Sequence, residues 1–171
     1  MKLMLLVALT AGCGLYATHS YAQSCSSPTP LASGQTITNA GGLPTTCGGD
    51  QSFTDICGGA TLTGASRVYS LGVGPSPSGS ITVTPTAPTT YNTAIAIVGP
   101  GASCAASLGT CDATSDSSNT SGAETVSLAG LAAGTYYLVI SWFDTTAANQ
   151  CGPYGLTVGT LPVKLQKFSV N

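Results

Sequence analysis

Charge is scarce in this chain: four Lys and Arg and six Asp and Glu stand among 171 residues, with a single histidine, one tryptophan and three phenylalanines. No apolar run approaches the roughly 20 residues that a membrane-spanning helix needs. These shortages exclude several classes of function. With no basic face to displace counterions from phosphates, nucleic acid is not an expected partner. Without an available histidine, Ser-His-Asp and Cys-His catalysis lose the general base that activates the nucleophile.

That histidine, His19, lies in a stretch read as a signal peptide. Lys2 is followed by the apolar run Leu3 to Leu9 and then by small residues ending in Ser20-Tyr21-Ala22, so residues 1–22 are expected to be removed on export. Thr10-Ala11-Gly12-Cys13 resembles a bacterial lipobox that would put a lipid on Cys13, but Thr10 stands where that motif usually has leucine, and cleavage after Ala22 is the favoured reading. The mature chain then holds Arg67, Lys164 and Lys167 against six carboxylates, a net charge of −3. Its solubility rests on Ser, Thr, Asn and Gly, and such a surface permits close association because little repulsion keeps neighbours apart.

Cys25, Cys47, Cys57, Cys104, Cys111 and Cys151 remain after export. An even number of cysteines in an oxidising compartment reads as a disulfide framework. Fifteen pairings exist; spacing favours the local bridges Cys47 to Cys57 and Cys104 to Cys111, leaving Cys25 for Cys151. Zinc is not expected, since there is neither a CxxC pair nor a histidine.

Periodicity gives the fold class. Residues 23–66, rich in Gly, Ser, Thr and Pro, are expected to form a loop-rich region wrapped on the core, with regular strands from about Arg67. Residues 67–159 carry the alternation of strands: Tyr69, Leu71 and Val73; Ile81 and Val83; the run Ala94 to Val98; Val126 and Leu128. The polar stretch Ala113 to Gly122 reads as a surface loop. In Thr135 to Phe143 both alternating sets are apolar, as in a central strand, and Tyr154, Leu156 and Val158 are expected to pair with it. No helical period is found. Short strands punctuated by Gly and Pro predict an all-β, two-sheet antiparallel sandwich, jelly-roll-like and disulfide-stapled. Residues 160–171 read as a last strand or a linker: Val163 and Leu165 alternate, Phe168 and Val170 alternate in the opposite phase, and a bulge near Gln166-Lys167 would return them to one face. Such a strand either closes its own sandwich, the favoured arrangement, or completes a neighbour's sheet.

Several segments come in a telling order: Thr46-Cys47-Gly48-Gly49 with Cys57 ten residues on, Val68-Tyr69-Ser70-Leu71, Cys104 and Cys111, Ala133-Gly134-Thr135-Tyr136-Tyr137-Leu138-Val139-Ile140, and Tyr154-Gly155-Leu156-Thr157-Val158. Over about residues 45–159 the chain resembles the bacterial pre-peptidase C-terminal (PPC) domain in the cysteine-containing form of secreted proteins. The resemblance implies a jelly-roll-like sandwich that accompanies hydrolases without being catalytic. Leu161-Pro162-Val163-Lys164-Leu165-Gln166-Lys167-Phe168 resembles the linker before a C-terminal sorting domain of type IX secretion.

No cofactor is expected. Asp112 with Asp116, or Asp50 with Asp55, are the carboxylate neighbours that a glycosidase would need, and the same four aspartates are the weak candidates for calcium, which takes six to eight oxygens. All sit in Ser/Gly-rich loops, where loop capping is the favoured role. Phe143, Asp144 and Tyr137 are the candidate binding surface, with Phe143 at a strand end and Trp142 directed inward. The sequence therefore predicts a secreted non-catalytic module for binding or adhesion at the cell surface or to extracellular polymer, its partner a polymer or a protein. The alternative is a structural subunit that assembles with copies of itself by strand addition.

Overall fold

The computed structural model describes residues 24–38, 45–47, 51–57, 60–86, 92–105, 107–116, 122–142 and 151–161. They form strands and no helix. In chain order the strands are β1 (Thr29–Leu31), β2 (Thr36–Ile37), β3 (Gln51–Ile56), β4 (Ala60–Val73), β5 (Ser80–Pro85), β6 (Thr93–Val98), β7 (Ser107–Leu108), β8 (Ala113–Ser115), β9 (Glu124–Ser127), β10 (Gly134–Trp142) and β11 (Tyr154–Val158).

Two sheets result. The larger runs β7-β3-β4-β10-β6-β8, with β1 also on β4; the smaller runs β2-β11-β5-β9. Pairing is antiparallel except for β1 on β4 and β3 on β7. The predicted all-β sandwich is therefore the fold of the chain, and its β10 lies in the middle of the larger sheet between β4 and β6.

Both faces of β10 are covered, for different reasons. Tyr136, Leu138 and Ile140 point into the main core, where they meet Ile81, Val83, Val126, Leu156 and Val158 of the smaller sheet. Each such side chain contributes about 1.5–3 kcal/mol on burial. Val139 points the other way, into a second cluster with Phe53, Val68, Ala94, Ala96 and Val98, against which Cys25, Cys57, Cys104 and Cys111 pack. The outer face of the larger sheet is thus roofed by the β3 region and by cystines. Trp142, in register with Thr93 and on the Ile140 face, is buried as expected.

Three expectations are corrected. Strands begin before Arg67: β1, β2, β3 and the first half of β4 fall in the region expected to be loop. Its Thr residues suit strands well enough, and the irregular pairing of β3 with β4 hid the alternation. The stretch after Asp112 opens with β8 on the edge of β6 rather than with loop. Most plainly, β11 does not pair with β10; it lies in the other sheet between β2 and β5. The pattern explains why. Tyr154, Leu156 and Val158 alternate with Gly155 and Thr157, the mark of a strand with one covered face, whereas β6, the true neighbour of β10, is buried at every position.

The cystines are also arranged differently. All six cysteines are bonded, but as Cys25–Cys104, Cys47–Cys151 and Cys57–Cys111, with Cα separations of 5.1, 4.7 and 4.8 Å. Short spacing favours local bridges only weakly, since doubling a loop costs about 0.6 kcal/mol; topology overrides that preference by bringing the β3–β4 turn beside the start of β8.

Two links join the sheets at their sides. Residues Ala32–Gln35 turn β1 of the larger sheet into β2 of the smaller, with Gln35 N–H donating to Ala32 O. On the opposite side the edge strands β8 and β9 lie next to each other, joined by Ser115 Oγ donating to the buried Glu124 Oε2. Gly134 opens β10 because a side chain there has no room: a Cβ would stand 2.5 Å from Pro100 Cβ. Tyr136 Oη then donates to Ala132 O at 2.9 Å and fixes the turn before the strand.

Candidate binding surface

The aspartates proposed as a pair are kept apart. Asp112 and Asp116 flank β8 at its two ends, about 13 Å apart along an extended strand, and each has its own work. Asp112 Oδ2 accepts the Gly99 N–H at 2.9 Å, and its own N–H donates to Ile97 O at 2.8 Å. Asp116 Oδ1 accepts from Asn92 Nδ2 at 3.0 Å. Partial burial raises the Asp116 pKa above 3.8; the Asn92 bond opposes the shift and the nearby Glu124 charge adds to it. Asp55 lies in β3, its backbone in register with Ser107. Asp50 lies outside the described residues. Among the described residues no three His, Cys, Asp or Glu side chains gather as metal ligands do.

Of the aromatic candidates, Tyr137 is half-buried on the roofed face of β10 and packs against the second cluster. Phe143 and Asp144 lie outside the described residues, as do Cys13, the signal segment and residues 162–171 with the C-terminal alternation.

A different surface emerges from the smaller sheet. Its inner face carries Ile81, Val83, Val126, Tyr154, Leu156 and Val158; the alternate positions point outward. The register aligns them. Thr157 of β11 stands opposite both Thr36 of β2 and Thr82 of β5, and Thr82 stands opposite Thr125 of β9, so one row of four threonines crosses the whole sheet. Beside that row Gly155 pairs with Thr84, and on its other side Ser80 pairs with Ser127. Thr36, Thr84, Thr125, Ser127 and Thr157 are exposed, and Ser80, Thr82 and Gly155 are half-buried. Thr82 and Thr125 share a hydrogen bond of 3.0 Å between their hydroxyls, which fixes two side chains of the row.

This face holds only Thr, Ser and Gly at these positions, with no charge and no ring. The sequence carried half of the signal: threonine and serine alternate with apolar residues in β5, β9 and β11. What it lacked was the strand order and register that put Thr36, Thr82, Thr125 and Thr157 in line. Comparison with family models, with curated proteins and with solved structures finds no match for this chain.

Proposed function

We propose that the chain is a secreted, non-catalytic module of PPC-like type that binds extracellular polymer or the cell surface. One observation supports this most: among the described residues the outward positions of the smaller sheet form an exposed face of Thr, Ser and Gly without charge, whereas the middle of the larger sheet is covered on both sides. Asp112, Asp116 and Glu124 serve turns and corners, which favours a scaffold over a hydrolase. The three cystines fit an oxidising compartment, and no helix among the described residues is long and apolar enough to cross a membrane.

The test is depletion of the purified mature protein by washed cell envelopes and by a panel of insoluble polymers, neutral and charged, with pelleted and soluble fractions assayed. Retention on at least one of them supports the proposal; recovery of all protein in every supernatant overturns it.

A further inference from the structure

β1 joins the larger sheet through one of its edges, and the backbone of its other edge is short of donors. The strand runs parallel to β4 with Thr29 opposite Tyr69, Pro30 opposite Ser70 and Leu31 opposite Leu71. Along a strand the N–H and C=O groups of successive residues point to alternate edges, and proline has no N–H to give. Pro30 cannot donate into the ladder, so Thr29 and Leu31 bond to β4 while Pro30 and Ala32 turn their backbone groups away from it.

The outward positions lose their donors one after another. Pro28, immediately before the strand, and Pro30 within it have no N–H. Ala32 has one, but it donates to Gln35 Oε1 at 2.8 Å, and Ala32 O accepts the Gln35 N–H at 3.2 Å. Pro30 and Ala32 are exposed, so the edge meets water, which satisfies the carbonyls that remain. A strand laid along this edge would fare worse. Its N–H groups would find carbonyls, but its own carbonyls on that side would lose water and find no donor.

Other edges among the described residues are short or faced: β2 and β7 are two residues long, and β8 and β9 lie next to each other. The charged side chains that commonly blunt an edge are scarce, with four Lys and Arg in 171 residues. A strand-forming sequence is also at hand. Leu161 is held at the β1–β2 turn, its N–H donating to Ser33 Oγ at 2.7 Å and Ser33 Oγ donating to Leu161 O at 3.2 Å; the alternation of Val163 and Leu165 follows it in the sequence.

We infer that Pro28 and Pro30, with Gln35 occupying the Ala32 amide, guard the β1 edge against strand addition by a second copy of this chain. The guard is independent of the polymer binding proposed above.

The experiment uses the mature, oxidised protein. The double variant Pro28→Thr, Pro30→Thr gives back two N–H groups with residues that suit strands. Pro75→Thr, at an exposed site between β4 and β5, is the control. Sedimentation velocity over a range of concentrations reads the mass, hydrogen exchange reads the amide at position 30, and melting temperature checks folding. The inference expects the double variant to associate as concentration rises, to at least twice the mass of wild type, with the position-30 amide exchanging at least tenfold more slowly in the associated fraction; the control should match wild type. A double variant of wild-type mass at every concentration overturns the inference. Association that leaves the position-30 amide unprotected, or that the control shows equally, overturns it too, because another surface then carries the contact. Should the double variant melt early, the single exposed change Pro30→Thr is read by the same two measurements, and wild-type mass overturns the inference.

Discussion

The hydroxyls of Tyr69 and Tyr154 meet at 2.7 Å inside the sandwich, one from β4 of the larger sheet and one from β11 of the smaller. Both side chains are fully buried. An apolar core sets the distance between sheets but leaves their sliding loosely specified, whereas a buried hydrogen bond has a direction. Tyr154→Phe should lower stability by about 1–2 kcal/mol, because a buried polar group loses a partner. The double variant Tyr69→Phe, Tyr154→Phe should lose less than the sum of the two singles. A cycle of chemical denaturation curves measures this, and strict additivity would show the two hydroxyls to be energetically independent.

Arg67 is the only cation among the described residues, and it is spent on backbone. From β4 its Nε donates to Thr45 O at 2.6 Å and one terminal nitrogen donates to Cys47 O at 3.1 Å. Thr46 N–H donates to Gly152 O, and Gly152 N–H donates to Thr46 Oγ1, each at 3.0 Å, beside the Cys47–Cys151 cystine. The fork of a guanidinium reaches two carbonyls at once and an ammonium on a flexible stem does so poorly. Arg67→Lys should therefore destabilise the protein by about 1–2 kcal/mol and hasten reduction of Cys47–Cys151 relative to the other two bridges. Reduction under limiting thiol, followed by mapping of the alkylated cysteines, reads it; an unchanged order of reduction would refute the clamp.

The all-β class and the central position of β10 were legible because burial on both faces writes itself as an apolar run, Tyr136 to Trp142, interrupted only by Ser141. Partnerships between strands were not. Nothing local in Tyr154-Gly155-Leu156-Thr157-Val158 says which sheet receives it, and that choice is made by loops and by the register of distant strands. The threonine row has the same character: Thr36 and Thr125 are far apart in the chain, and each alone is an ordinary exposed strand residue. Asp112 and Asp116 were visible as candidates, but the short strand that separates them was masked by its polar composition.

Acid should report on Asp116. Its pKa is raised by partial burial above 3.8, so the folded chain holds this proton more tightly than the unfolded one does. Between the unfolded and the folded value the native state binds more protons, and stability falls as pH rises through that window. Asp116→Asn keeps an oxygen for the Asn92 amide and removes the titration. The variant's stability relative to wild type should increase as pH is raised from 3.8 through the weakly acidic range and then level off. Melting curves across that range test it, and a difference that is flat with pH would count against a raised Asp116.

The cystine connectivity makes the sharpest prediction. Each bridge closes a long loop, with sequence separations of 79, 104 and 54 residues, and in the chain-entropy model loops of that size contribute roughly 4 to 5 kcal/mol apiece when formed alone. Cys57–Cys111 ties the β3–β4 turn to the start of β8, and Cys25–Cys104 ties the segment before β1 to the connection after β6, so both hold the roof of the larger sheet over Val68, Ala96 and Val139. Replacing Cys57 and Cys111 together by alanine should lower stability by about 2–4 kcal/mol and expose that second cluster first, raising hydrogen exchange in β6 before it rises in β5 or β11. Proteolysis without reduction, followed by mass spectrometry, should recover Cys57 peptides linked to Cys111 and Cys47 peptides linked to Cys151. Peptides joining Cys47 to Cys57, or Cys104 to Cys111, would contradict the roof, because the strands that separate those pairs could not then lie where they do.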